Sequence, residues 1–274
     1  MGMGPRNLDR MATIYGPTTW DVYERLDVSL DPRGPDMLFN LAAEHIVEDA
    51  TVLDAGCRDG AHLVELLRRH PTITGIGVEP VAIHVDRARA AVQDAGLSDR
   101  VTIHQGVVHA VPAAADSIDF VWCRDVLVQV DDLLGGLEEL HRVMAPDARL
   151  LAFSSFVTSR LGGADLEMMQ RHLGWLDDNV RRPHMERAFE VAGFVIDDVE
   201  EIGTEWREFA EERTQPVSQA LLRLSRLRRQ RDAIVSWRGQ EIYDHIEANL
   251  HYEVFLFLGK LEPVVHVLRK PASP

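Results

Sequence analysis

An aspartate, two glycines and a glutamate carry the strongest chemical signal in this chain. Val52-Leu53-Asp54-Ala55-Gly56-Cys57-Arg58-Asp59-Gly60 sits where a short strand gives way to a helix. Glycine in such a turn lets the backbone pass close to a ligand, and the helix N-terminus presents free N–H groups. A nucleotide-like ligand belongs there. Glu79, 25 residues after Asp54, closes the next strand in Gly75-Ile76-Gly77-Val78-Glu79-Pro80. A carboxylate in that place accepts both hydroxyls of a ribose, each charge-assisted bond contributing about 1.5–3 kcal/mol. The G-x-G-x-x-G fingerprint of nicotinamide binding fits worse, because Arg58 stands where a second glycine would, and the charge on Asp54 repels a pyrophosphate.

A second group lies at the end of Ile118-Asp119-Phe120-Val121-Trp122-Cys123-Arg124-Asp125, a strand expected to run beside the first turn. Asp125 is read as a general base, with capping of the following helix as the alternative. Arg124 is read as a group that orients an anionic substrate. His109, on the loop past His104, is a second candidate base or simply an exposed loop histidine. Cys57 and Cys123 fall close to the same site and read as packing residues rather than nucleophiles. His62, His84 and His141 fall on helices, no Cys/His spacing fits a metal, and no metal is expected.

These residues are positioned by a repeated alternation of strand and helix. Asp36 is placed to cap a helix running through Leu38, Leu41, Ala42, His45 and Ile46, and strands are expected at Thr51 to Asp54, Ile73 to Val78, Val101 to His104, Ser117 to Trp122 and Arg149 to Phe156. Helices Ala61 to His70, Val81 to Ala95 and Leu133 to Met144 lie between them, and Arg182 to Ala192 precedes a strand at Phe194 to Ile202. This is the order of a parallel sheet with covering helices. Thr204 to Leu261 is almost continuously helical and reads as two inserted helices, after which Val264 to Arg269 forms a last strand.

The arrangement resembles a class I S-adenosylmethionine-dependent methyltransferase of the small-molecule type. Its first motif is an acid two residues before a glycine-rich turn, and its second is the acid that ends strand two. The resemblance covers about residues 36 to 202 plus the last strand. It implies an α/β, Rossmann-like, doubly wound sheet of seven strands, mostly parallel with the last antiparallel. It implies that S-adenosylmethionine is bound and S-adenosylhomocysteine released. Asp54, Ala55, Gly56, Cys57, Arg58 and Gly60 then belong to the cofactor's amino-acid end, Glu79 to the ribose, and Pro80 to the adenine edge. Gly106, Val107 and Val108 flank the adenine, and Cys123 closes the site from the neighbouring strand. Two residues depart from the family pattern. Val107 stands where an aspartate usually meets the adenine amino group, and Arg58 replaces a glycine, its guanidinium lying along the cofactor carboxylate or else pointing into solvent.

The resemblance divides the chain into an arm or lid (1–35), the cofactor-binding core (36–203), a helical substrate lid (204–261) and a last core strand with tail (262–274). Arm and insertion are expected to cover the carboxyl ends of the sheet. Tyr15 and Trp20 of the arm, with Trp206 and Tyr252 of the insertion and Arg124 of the core, are the expected acceptor-binding residues. Packing of the inserted helices is the alternative for these aromatics and the favoured one for Trp237 and Tyr243.

Composition narrows the partners. Of 274 residues 46% are apolar and 27% charged, and 44 acids against 29 bases leave a net charge of −15, which disfavours nucleic acid and anionic lipid. The one dense basic stretch, Arg223 to Arg231, reads as a solvated helix face paired with Glu208, Glu211 and Glu212, or else as a contact for RNA or an anionic substrate. Two cysteines and no signal-peptide pattern lead to an expected cytoplasmic setting without membrane contact. The expected activity is methyl transfer to oxygen, nitrogen or carbon of a small molecule in specialised metabolism. A protein of the same fold that binds the cofactor without transferring methyl, and an RNA methyltransferase, are the rivals. Oligomeric state is not fixed by the sequence, and a homodimer stays open.

Overall fold

The strand Thr51–Ala55 (β1) is β-branched at its start and buried along nearly its whole length, so it belongs at the centre of a sheet covered on both faces. A computed structural model describes residues 5–272 of the chain. It opens with helices α1 (Pro5–Ile14) and α2 (Pro17–Leu26), followed by α3 (Asp36–Ala43) and β1. The core continues through α4 (Ala61–Arg69), β2 (Thr74–Glu79), α5 (Ala82–Asp94), β3 (Val101–Gln105), β4 (Ile118–Arg124), α6 (Leu133–Val143) and β5 (Met144–Val157). Then come α7 (Gly163–Leu173), α8 (Arg182–Val191), β6 (Val195–Glu201), four helices α9 (Glu205–Thr214), α10 (Pro216–Arg229), α11 (Arg231–Arg238) and α12 (Gln240–Phe257), and β7 (Leu261–Arg269).

The seven strands form one sheet in the order β3-β2-β1-β4-β5-β7-β6. Pairing is parallel except for β7, which runs antiparallel to both β5 and β6. This is the expected architecture. Strand order reverses between β1 and β4, and in doubly wound sheets ligands sit at that switch point, outside the carboxyl ends of the strands. Asp54 and Arg124 lie at those ends.

Alternation along the strands separates two cores. Val52, Phe120 and Trp122 face α3, α4 and α5 with Leu63, Leu66 and Leu67. Leu53, Val121 and Cys123 face α6 and α8 with Leu137, Leu140 and Phe189. A third cluster holds the added helices: Met169 of α7 and Ala248, Phe255 and Leu256 of α12 pack with Val128, Trp175 and Leu261.

Several expectations need correction. The insertion is four helices rather than two, because Pro216 follows a left-handed Gln215 (φ 52°), Gln230 (φ −106°, ψ 18°) breaks the chain between α10 and α11, and Gly239 (φ 91°) interrupts it before α12. Helix α7 was not anticipated. Asp36 does not cap α3; Pro35 holds the cap position, and the Asp36 carboxylate accepts from Arg69 at 2.9 Å. Trp237 does not pack onto the core but lies 71% exposed, whereas Tyr243 is buried. Arg228 pairs with Glu247 of α12, and Glu211 instead accepts from the Val217 amide at the start of α10. Among the described residues no helix is long and apolar enough to cross a membrane.

Candidate active site

The turn after β1 is fastened to β2 by backbone bonds, since the Gly56 and Cys57 amides both donate to the Val78 carbonyl, at 2.8 and 3.0 Å. Gly56 has φ 82°, and a Cβ there would fall 2.2 Å from Cγ2 of Val126, so both conformation and space demand glycine. Gly60, at φ 77°, opens α4. Between them Arg58 also adopts a left-handed backbone, φ 48°, with its side chain in solvent. Its amide donates to Oε2 of Glu79 at 3.0 Å, so the glutamate holds the turn that a glycine would otherwise form unaided.

Asp54 is 2% exposed, and its Oδ2 has no hydrogen-bond partner. Burial first, then the neighbouring charge of Glu79, push its carboxyl up to about 8, while Arg124 pulls the other way. A buried acid without a partner is costly unless something cationic arrives. Glu79 is also buried, its Oε1 accepting from the Val81 amide at 2.9 Å and lying 3.4 Å from His84 Nδ1. Each oxygen keeps a lone pair for a further donor. The Pro80 carbonyl accepts from Gln105 Nε2 at 3.2 Å, and the Gly106 amide donates to the Glu79 carbonyl at 3.1 Å. Val107 lies exposed beyond them and Val108 is buried, so the end of β3 offers apolar side chains and backbone groups but no acid. Ala55 and Cys123 stand opposite each other in the β1–β4 register. Burial pushes both the Cys57 and Cys123 thiols up, which keeps them protonated and unreactive.

Arg124 and Asp125 come off β4 beside this turn. Asp125 has φ 57°, a sparsely populated conformation that Asp tolerates better than most residues. Its amide donates to the Phe153 carbonyl at 2.9 Å, but its carboxylate forms no side-chain hydrogen bond among the described residues and does not cap the short 3₁₀ turn Leu127–Gln129. The side chain is 41% exposed to water and otherwise flanked by protein. That surrounding pushes it up to about 6, against the pull of Arg124 and Arg207. Tyr252 of α12 shares a hydrogen bond with Ser155 Oγ at 3.0 Å and meets Trp175 edge to face. Trp206 of α9 stacks on Phe153 with ring centroids 4.9 Å apart.

The structure does not bring every candidate together. The Nε2 of His109 lies 2.8 Å from the Asp132 carbonyl at the start of α6, so it carries the proton there, and no contact links the ring to Asp125. Tyr15 and Trp20 are 72% and 67% exposed on the arm. Three residues of the site escaped the sequence reading. Arg124 Nη1 donates to His62 Nε2 at 2.5 Å. Burial and then the Arg124 charge lower His62 to about 4. Arg207 pairs with Glu253 at 2.7 Å. The position of His62 in the first turn after the glycine loop was the available signal; the other two meet only through the tertiary fold. Among the described residues no group of His, Cys, Asp and Glu could hold a metal ion.

Residues 53–152 match the model of a family described as "Methyltransferase domain". Among curated proteins the chain is similar to "Methyltransferase GfsG" of Streptomyces halstedii, 30% identical over 147 residues that make up 53% of this chain and 46% of that protein. The chain spans about half the length of the curated relatives it matches. Among solved structures it superposes on the [4+2]-cyclase SpnF with TM-score 0.69 and 20% identity, over 87% of this chain and 82% of that one. A geranyl diphosphate C-methyltransferase from Streptomyces coelicolor, in complex with S-adenosyl-L-homocysteine, superposes with TM-score 0.64 and 15% identity, over 86% and 76%. At such identities the likeness is one of fold.

Proposed function

We propose that this chain, whose residues 53–152 match a family described as "Methyltransferase domain", is a class I S-adenosylmethionine-dependent methyltransferase that transfers methyl to an oxygen, nitrogen or carbon atom of a small molecule in specialised metabolism. The observation that carries the reading is Asp54: a buried carboxylate whose Oδ2 has no partner, at the mouth of a glycine turn whose far side is held by Glu79.

S-adenosylmethionine supplies a methyl group activated by the sulfonium to which it is bound. Asp54 fits the ammonium of its amino-acid end, Gly56 forms the left-handed turn that no Cβ could take up against Val126, and Glu79 retains acceptor capacity for ribose hydroxyls. With no acid at Val107, the adenine amino group falls to backbone carbonyls near Val107 and Val108. Asp125 Oδ takes a proton from an acceptor hydroxyl or ammonium, and the charge of Arg124 keeps part of the carboxylate ionised near neutral pH. Holding the acceptor close in a water-poor cleft supplies much of the remaining rate.

The arm (1–35) and the insertion (204–261) act as covers for the acceptor, with 36–203 and 262–274 forming the core. A cytoplasmic setting is supported by two free buried cysteines. Nucleic acid is not the partner in this reading, because the chain carries a net charge of −15 that repels a phosphate backbone.

Incubating the purified protein with methyl-labelled cofactor and a library of small hydroxylated, amino and carboxylate compounds tests the proposal. Label should pass to one compound with one S-adenosylhomocysteine released per product. Tight S-adenosylhomocysteine binding with conversion of a substrate and no label transfer would favour the rival, a protein of this fold that binds the cofactor without transferring methyl.

A further inference from the structure

A cavity of about 220 Å³ opens beside the carboxyl end of β4, between Pro35 at the end of the arm and helix α9. Arg124, Arg207 and Arg213 line it together with Trp206 and Phe209. Three guanidinium groups on so small a space are notable in a chain of net charge −15.

Their charges are unequally spent. Arg207 is paired closely with Glu253. Arg213 lies 3.5 Å from Glu212, an exposed neighbour that neutralises it little, and its guanidinium rests 3.6 Å above the Phe209 ring. Arg124 is held differently. Its Nη1 donates to an imidazole that carries no charge, its guanidinium lies 5.4 and 5.9 Å from the Phe153 and Trp206 rings, and the nearest carboxylate oxygen, on Asp125, is 3.9 Å from its Nε. That Nε is buried without a hydrogen-bond partner, as is the indole N–H of Trp206, a residue only 9% exposed. Buried donors left unpaired ask for an acceptor, and a guanidinium beside them asks for a charged one. His62 is packed against Phe39 and Trp122 and stays neutral at physiological pH, so it fixes Arg124 as an acceptor without cancelling its charge.

We propose that this cavity binds the anionic end of the methyl acceptor, a carboxylate or phosphate joined to a flat apolar body, with Arg124 as the central ligand and His62 as the residue that positions it. Calling the ligand the acceptor rests on the methyl-transfer reading; anion binding at the cavity does not.

The full chain, saturated with S-adenosylhomocysteine, is titrated with benzoate, phenyl phosphate and neutral benzamide, followed by ligand-observed NMR. One or both anions should bind at least about tenfold more tightly than benzamide, and the tighter of the two distinguishes a carboxylate from a phosphate site. Arg124→Gln and, on an exposed helix end where folding is not at risk, Arg213→Gln should each lower anion affinity by about tenfold or less while benzamide is unaffected. His62→Phe keeps the packing but removes the acceptor, so it should reduce the preference for anion over benzamide, and His62→Gln should restore it.

Equal binding of benzamide, anion affinity that survives both arginine variants, or benzoate displaced by S-adenosylhomocysteine would overturn the proposal. An unchanged preference in His62→Phe would overturn the positioning role. A protein that binds benzoate but not S-adenosylhomocysteine would instead sink the methyltransferase reading and leave the anion site standing.

Discussion

Replacing Asp125 by asparagine tests the chemistry with little structural disturbance. The carboxylate makes no side-chain hydrogen bond and caps no helix, so the one contact weakened is its 3.9 Å ion pair with Arg124, and asparagine tolerates the left-handed backbone at φ 57° as well as aspartate does. What changes is the ability to accept a proton. If Asp125 removes a proton in the transition state, methyl transfer should fall by roughly 10²–10⁴-fold, about 3–5 kcal/mol of barrier, with cofactor affinity little changed. The pH dependence adds a second signature. With the carboxyl pushed up to about 6, its ionised fraction rises with pH, so wild-type kcat/KM should climb between pH 5 and 7 and then level. The acidic limb should disappear in Asp125→Asn. Single-turnover kinetics on the true acceptor, across that pH range, reads both. A variant with near wild-type rate and the same limb would refute the base and leave proximity as the main source of catalysis.

Three further outcomes follow from the cofactor side and the arm. Glu79→Ala should weaken S-adenosylhomocysteine binding by about 10–100-fold, as loss of charge-assisted ribose bonds implies; calorimetry showing unchanged affinity would remove that role. Asp54 has its carboxyl raised to about 8 in the fold, so the stability it permits is full below its ordinary range near 3.8 and is lost as pH rises through 8. Thermal unfolding of the cofactor-free protein should therefore show Tm falling from pH 5 to 8.5, with a flatter profile in Asp54→Asn; parallel profiles would count against the raised value. Deleting residues 1–30 should leave Tm nearly unchanged, since Tyr15, Trp20, Tyr23 and Leu26 are exposed, while acceptor turnover collapses; full turnover would show that the arm is no cover.

The sheet was legible because its signals are local. β1, its glycine turn and α4 lie within one stretch of sequence, and burial on both faces makes the strand a short apolar run. Glu79 was legible for the same reason, as the last residue of the next strand. Helix α7 could have been found from Leu166, Met169 and Leu173, which recur at helical spacing, but Gly162 and Gly163 ahead of it suggest a loop. The division of the insertion into four helices was harder, because Gln215 and Gln230 take up the breaks without glycine. Pairings across the fold carry no mark in the sequence. Arg124 meets His62 across 62 positions, and Arg228 passes over nearby acids to reach Glu247.

Arg58 shows why such departures from a motif are readable only with the fold in hand. In sequence it is a missing glycine, and an arginine forced into a left-handed backbone costs about 1–2 kcal/mol. The Glu79 carboxylate accepts the Arg58 amide at 3.0 Å, a charge-assisted bond contributing about 1.5–3 kcal/mol, which offsets that strain. One carboxylate therefore does two things: it locks the turn in its ligand-ready shape and keeps lone pairs for the ligand itself. The motif has traded the freedom of a glycine for a bond to Glu79, the residue proposed to hold the ribose. If Glu79 also binds the ribose as proposed, turn and ribose site are coupled, and a change at Glu79 acts on both.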